Sequence, residues 1–124
     1  MEKNKKYDLE ERLIDFAVRI IDVVEALPNT KAGNHLGGQL VRSGTSPALN
    51  YGEAQSAESQ NDFIHKMKIS LKELRESKNN LRIIHRKPLI KPVSKLEPIL
   101  NEINELVAIF AKSIQTAEKN KPKK

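Results

Sequence analysis

The chain has 124 residues, of which 31% are charged and 4% aromatic, with no cysteine and a formal net charge of +6. That length suits one domain with a single modest core, and the missing cysteines exclude disulfides, thiolate metal sites and a cysteine nucleophile, so a reducing cytoplasm is the expected setting. The charged opening MEKNKKYDLEE lacks the apolar core of a signal peptide, and no run approaches the ~18 apolar residues of a membrane span, so neither export nor membrane insertion is expected.

From Asp8 to Leu27, Leu9, Leu13, Phe16, Ala17, Ile20, Val24 and Leu27 recur at three- and four-residue steps, with Ile14 and Ile21 widening the stripe. This spacing predicts a first amphipathic helix over 8–27. Its net charge is −4. Pro28 disfavours a helical Leu27, and Thr30 is placed to cap a second helix over 31–59. Within that helix the stretch RSGTSPALNYGEAQSAES mixes loop and helix signals. On a helical wheel Arg42, Ser46, Asn50 and Glu53 fall within an arc of about 80°, a polar stripe. Gly44, Ala48, Gly52 and Ser56 step by four along another side, a small-residue ridge that lets a neighbouring backbone approach. Pro47 would remove one helix hydrogen bond and cost about 3 kcal/mol. Either the helix continues with a kink, its freed carbonyls served by Ser43, Thr45 and Ser46, or it splits into two with Ser46 as cap and Pro47 in the first turn.

Asn61 is a reasonable cap for a third helix over 61–86, with Met67, Leu71, Leu74, Leu81 and Ile84 as its inner stripe. Residues 61–87 carry a net +5. Pro88 and Pro92 then predict a short extended link. Ser94 is placed to cap a fourth helix over 94–118, where Leu96, Leu100, Ile103, Val107, Phe110, Ile114 and Ala117 alternate steps of four and three, and residues 119–124 read as a basic, solvated tail. Four amphipathic helices with short connectors predict an all-α, up-and-down four-helix bundle in one domain spanning 1–124.

QLVRSGTSPALNYGEA followed by AESQNDFIHKMKISLKELRES resembles the bacterial four-helix-bundle family of 23S rRNA intervening sequence proteins. The family pattern of Arg, Ser, Asn and Glu at spacings of four, four and three falls on Arg42, Ser46, Asn50 and Glu53. Ala54 departs from the glycine common after that Glu, and Pro47 stands one position early. The resemblance implies a ring-like homopentamer without established enzymatic activity. It also implies kinship with accessory proteins of retroelements that share this assembly and bind nucleic acid through basic surfaces.

Two constellations are candidate sites. Arg42 and Glu53 lie about 16 Å apart along a helix, too far to pair with each other. The polar stripe therefore reads either as a network tying Arg42, Ser46, Asn50 and Glu53 to neighbouring helices or subunits, or as a plain solvated face. On helix three, Lys68, Lys72, Arg75, Arg82 and Arg86 form a ridge about 100° from the core stripe, with Lys66, Lys78 and Lys87 nearby. Such a row fits an RNA or DNA backbone, and without interleaved aromatics it predicts no base reading. The plain alternative is a lysine-rich solvated face. Ile69 and Ile83, away from the core stripe, are candidates for a second apolar contact surface.

No enzyme is expected. RSGTSP offers hydroxyls without a nucleophile elbow or a following His and Asp, and GNHLGG lacks the Lys-Ser/Thr of a phosphate loop. Only Asp62 and His65 approach a Glu-x-x-His metal pattern, and its required duplicate is missing. Neither a cofactor, a metal nor a small-molecule substrate is therefore anticipated.

Overall fold

The computed structural model describes residues 8–121; residues 1–7 and the last three residues of the basic tail, 122–124, lie outside them. Four helices follow in chain order: α1 (Asp8–Ala26), α2 (Lys31–Gln55), α3 (Gln60–Arg86) and α4 (Glu97–Lys119). Among the described residues there is no strand. The contacts that cross between helices reveal their directions. Ser43 meets Ser77 while Glu53 meets Lys66, so α2 and α3 run antiparallel. Lys68 meets Glu118 while His85 meets Glu97, so α3 and α4 do the same. Gly44 lies on Ile20 and Gly37 on Val24, which makes α1 and α2 antiparallel as well. The architecture is an all-α four-helix bundle in which, of the neighbouring helix pairs, α2 and α3 share the most extensive contact and α1 and α4 the least.

Capping chemistry places two of the helix starts. The Thr30 hydroxyl accepts from the Gly33 N–H at 3.0 Å, as the sequence predicts. Gly33 is required there, because a Cβ would collide with the Pro28 carbonyl oxygen. For α3 the cap is Ser59, whose Oγ accepts from the Asp62 N–H at 3.0 Å, rather than Asn61. The boundary between α2 and α3 moves accordingly, with α2 ending at Gln55. Ser94 does not cap α4 through its side chain; it sits in a 3₁₀ turn over Val93–Leu96, and Pro98 follows in the first turn of α4. A proline suits that position because its missing N–H would have no helical partner.

Helix α2 is continuous through Pro47, which is buried. The hydroxyls around it do not serve the carbonyl of Ser43 as expected. Thr45 Oγ1 donates to Val41 O at 2.7 Å, Ser46 Oγ accepts from Asn50, and the Ser43 hydroxyl reaches across to Ser77. The small-residue ridge is also corrected. Gly44 packs against Ile20, but Gly52 faces open space and Ser56 is exposed. The close approach of α1 instead lies at Gly37 and Gly44, one heptad apart.

The core is filled by Leu13, Phe16 and Ile20 of α1, Leu40 of α2, Met67, Leu74, Leu81 and Ile84 of α3, and Ile103, Leu106 and Phe110 of α4. Two expected stripes are rotated slightly. In α4, Ile99 and Leu106 are buried while Leu100 and Val107 are half-buried; in α3, Leu71 yields to Ser70 and Ser77. Ile14 and Ile21, read as core-widening, are exposed.

Candidate nucleic-acid interface

The outer surface of α3 follows from its inner one. With Met67, Leu74 and Leu81 fixed in the core, a helical rotation of 100° per residue carries Lys68, Arg75, Arg82 and Arg86 to one outward flank, where all four are exposed. Lys72 and Asn79 are exposed beside them. From Lys68 to Arg86 the ridge extends about 27 Å. Two shallow grooves follow it: one of about 430 Å³ lined by Lys68, Lys72, Arg75 and Asn79 among others, and one of about 300 Å³ between Asn79, Arg82, Ile83 and Arg86.

The eight cations of this segment are not equivalent. Lys66 turns toward α2 and bonds Glu53 at 2.7 Å, and this hydrogen bond to the carboxylate holds its ammonium above the usual lysine value. Lys68 pairs with Glu118 of α4 at 2.9 Å. Lys78 is half-buried, and Lys87 lies just past the helix end, where its backbone N–H bonds Ile83 O. Among the described residues, Lys72, Arg75, Arg82 and Arg86 have no carboxylate partner; Arg82 makes only a 3.4 Å bond to Asn79 Oδ1. These four are the exposed groups on α3 itself that are free to meet an anion; Lys87, exposed just past its end, and the half-buried Lys78 have no carboxylate partner among the described residues either. No aromatic residue stands among them.

The polar stripe of α2 divides into separate local pairings. Asn50 Nδ2 donates to Ser46 O and Ser46 Oγ at 3.2 and 2.9 Å, within the same helix. Glu53 is exposed and bonds Lys66 across to α3, whereas Arg42 is exposed without a carboxylate partner among the described residues. Arg42 borders a groove of about 350 Å³ between α2 and α3, together with Gln39, Glu76, Asn80 and Ile83.

Two polar elements have no counterpart in the sequence reading. Ser43 and Ser77 share a fully buried hydroxyl hydrogen bond of 2.7 Å between α2 and α3. Their positions on the inner faces of both helices were the available signal, hidden because serine carries no hydrophobic mark. The second is a charge cluster linking α1 to α4. Arg12 donates from Nε and Nη2 to both oxygens of Glu102 at 3.0 and 2.8 Å, and from Nη2 to Glu105 at 2.8 Å. These carboxylates, Glu102 foremost, bind the guanidinium proton still more tightly than usual.

Among the described residues no group of three or more His, Asp or Glu is placed to hold a metal, and no helix is long and apolar enough to cross a membrane. Asp62 and His65 stay near one another on α3 without a duplicate.

Residues 5–112 match the model of a family described as 23S rRNA-intervening sequence protein. Among solved structures, the chain is similar to a protein of unknown function from the S23 ribosomal protein family of Bacteroides thetaiotaomicron VPI-5482. The two share 32% identity at a TM-score of 0.80, over 90% of this chain and 99% of that one. No curated protein is significantly similar to the chain.

Proposed function

The chain belongs to the 23S rRNA-intervening sequence protein family, and from that footing we propose that it is a non-enzymatic, cytoplasmic protein that binds the backbone of RNA or DNA through the outer flank of α3. The observation that carries this reading is the set of four exposed cations of α3 without carboxylate partners among the described residues, Lys72, Arg75, Arg82 and Arg86, aligned along one flank of the helix. Straight rows of cations recognise charge and spacing rather than bases. Lys68 and Lys78 contribute at the edges, and Lys87 extends the row past the helix end.

The test is filter retention or fluorescence anisotropy with RNA and DNA of mixed sequence at two salt concentrations. Four phosphate contacts on duplex DNA imply about a 150-fold loss of affinity between about 50 and 200 mM salt. Replacing Arg82 and Arg86 by glutamine halves the contacts and reduces that loss to about 12-fold. Absence of salt-sensitive retention on either nucleic acid overturns the reading.

A second reading, a protein–protein scaffold that binds no nucleic acid, draws on a different observation: the exposed apolar residues Ile14, Val18, Ile21, Val41, Leu49 and Ile83. Self-association is compatible with both readings. The family resemblance makes a ring-like homopentamer the proposed assembly, and light scattering tests it, a monomer of 14.0 kDa being the contrary result.

A further inference from the structure

Asn80 of α3 departs from the rule that a buried polar group finds its partner within the fold. It is 7% exposed, and its Oδ1 is buried without a hydrogen-bond partner. Three further polar side chains are equally buried, and each is satisfied: Ser43 and Ser77 bond each other at 2.7 Å, and Ser70 Oγ donates to Lys66 O at 3.1 Å. Glu73 Oε1 is unpaired as well, but that side chain is half-buried and does not border the groove that Asn80 lines. A leucine of similar size would fill the place of Asn80 without leaving an acceptor unmade, so the amide points to a partner from outside the fold.

Asn80 lines the groove of about 350 Å³ between α2 and α3, together with Gln39 and Arg42 of α2 and Glu76 and Ile83 of α3. Around α3 it stands about 60° from Ser77, which meets α2, and about 80 to 160° from Lys72, Arg75, Arg82 and Arg86. The groove therefore opens on the α2 side of the helix, away from the cation ridge. Each wall group makes one chemical demand. The Asn80 amide, turned either way about its last bond, presents an acceptor beside a donor. Arg42 is exposed without a carboxylate partner among the described residues, and its planar fork suits a phosphate. Glu76, exposed and without a cation partner among the same residues, favours a ligand edge with amino hydrogens over one with carbonyl oxygens. Ile83, 51% exposed, supplies an apolar wall.

We propose that this groove binds an adenine nucleotide, with the Asn80 amide accepting from N6–H and donating to N7 of the base, the ring against Ile83, and the Arg42 guanidinium on the phosphate. A carboxamide matches the adjacent donor and acceptor of adenine in two parallel hydrogen bonds, and the N6–H supplies the donor that Oδ1 lacks. This is recognition of a base edge, which needs no aromatic platform. The nucleotide is either a free mononucleotide or an adenosine turned out of a strand lying on the ridge, and only the second source rests on the nucleic-acid reading above.

Calorimetric titration of the full chain with adenosine monophosphate tests the shared chemistry, and fluorescence anisotropy with oligo(A) and oligo(U) separates the two sources. Adenosine monophosphate is expected to bind, and its 7-deaza analogue, which lacks the N7 acceptor, to bind about tenfold more weakly. Asn80→Leu is expected to abolish the preference for adenosine over uridine monophosphate while keeping or raising the urea midpoint, because it removes an unpaired buried amide. Arg42→Gln, at an exposed position, decides independently: it should weaken adenosine monophosphate about tenfold and leave unphosphorylated adenosine unchanged. Arg82→Gln with Arg86→Gln should lower oligonucleotide binding without changing mononucleotide affinity, so failure of the ridge and failure of the groove are told apart. A preference for oligo(A) that Asn80→Leu removes assigns the strand source; equal binding of the two oligonucleotides beside bound mononucleotide assigns the free one. Absence of any adenine preference in both formats, or a preference that survives Asn80→Leu, overturns the site.

Discussion

Replacing Gly44 by alanine should destabilise the fold, although the same replacement at Gly52 of the same helix should stabilise it. An exposed or unobstructed Gly→Ala change inside a helix gains about 0.5–1 kcal/mol by removing backbone freedom from the unfolded chain and improving helix propensity. A Cβ added at Gly52 would meet nothing within 4 Å, so that position should realise the gain. At Gly44 the added carbon would lie 2.7 and 2.8 Å from Cγ2 and Cγ1 of Ile20, and 3.1 Å from its Cβ. These atoms sit at the base of a fully buried side chain, so they cannot swing aside as the tip of a lysine would; α1 and α2 must separate. Overpacking of this kind costs about 1–3 kcal/mol, which exceeds the propensity gain over most of its range. The two variants should therefore differ by at least about 1 kcal/mol in urea denaturation, with an unchanged m-value. Ile20→Ala creates the missing space, so Gly44→Ala in that background should lose its cost, a coupling of about 1 kcal/mol or more. Equal stabilisation by both glycine substitutions, or additivity with Ile20→Ala, would refute the argument that close helix approach at Gly44 holds α1 on α2.

Removing one member of the buried Ser43–Ser77 pair should cost about 1–3 kcal/mol, because the remaining hydroxyl is left without a partner, and Ser43→Ala with Ser77→Ala together should cost less than the sum of the two; chemical denaturation of the three variants checks this. At the α1–α4 contact, Glu102→Gln should lower the thermal midpoint more than Glu105→Gln, since Glu102 takes two bonds from Arg12 and is 18% exposed against 66% for Glu105. Burial raises the pKa of Tyr51, so above about pH 10 the unfolded phenol loses its proton while the folded one keeps it, and stability falls as pH rises through that window. Tyr51→Phe should flatten this part of the decline in denaturation midpoints measured from pH 9 upward; Lys66, also raised by Glu53, retains a slope of the same sign in the variant.

Helix existence was legible in the chain because each segment carries its own period: Leu13, Phe16 and Ile20, or Met67, Leu74 and Leu81, announce an inner face without reference to any partner. Thr30 as a cap and the α3 basic ridge were legible for the same reason, since capping and outward direction depend on one helix alone. Tertiary structure decided what required a second helix. It set which small residue meets a neighbour, Gly44 and not Gly52, because that depends on where Ile20 stands. It assigned Lys66 to Glu53 and Lys68 to Glu118, leaving Lys72, Arg75, Arg82 and Arg86 without a carboxylate partner among the described residues, a division that no spacing along one chain encodes. It also left Ile14, Val18 and Ile21 outside the core. Periodicity marks how wide an apolar stripe is, but only the positions of the packed helices determine how much of that width they cover.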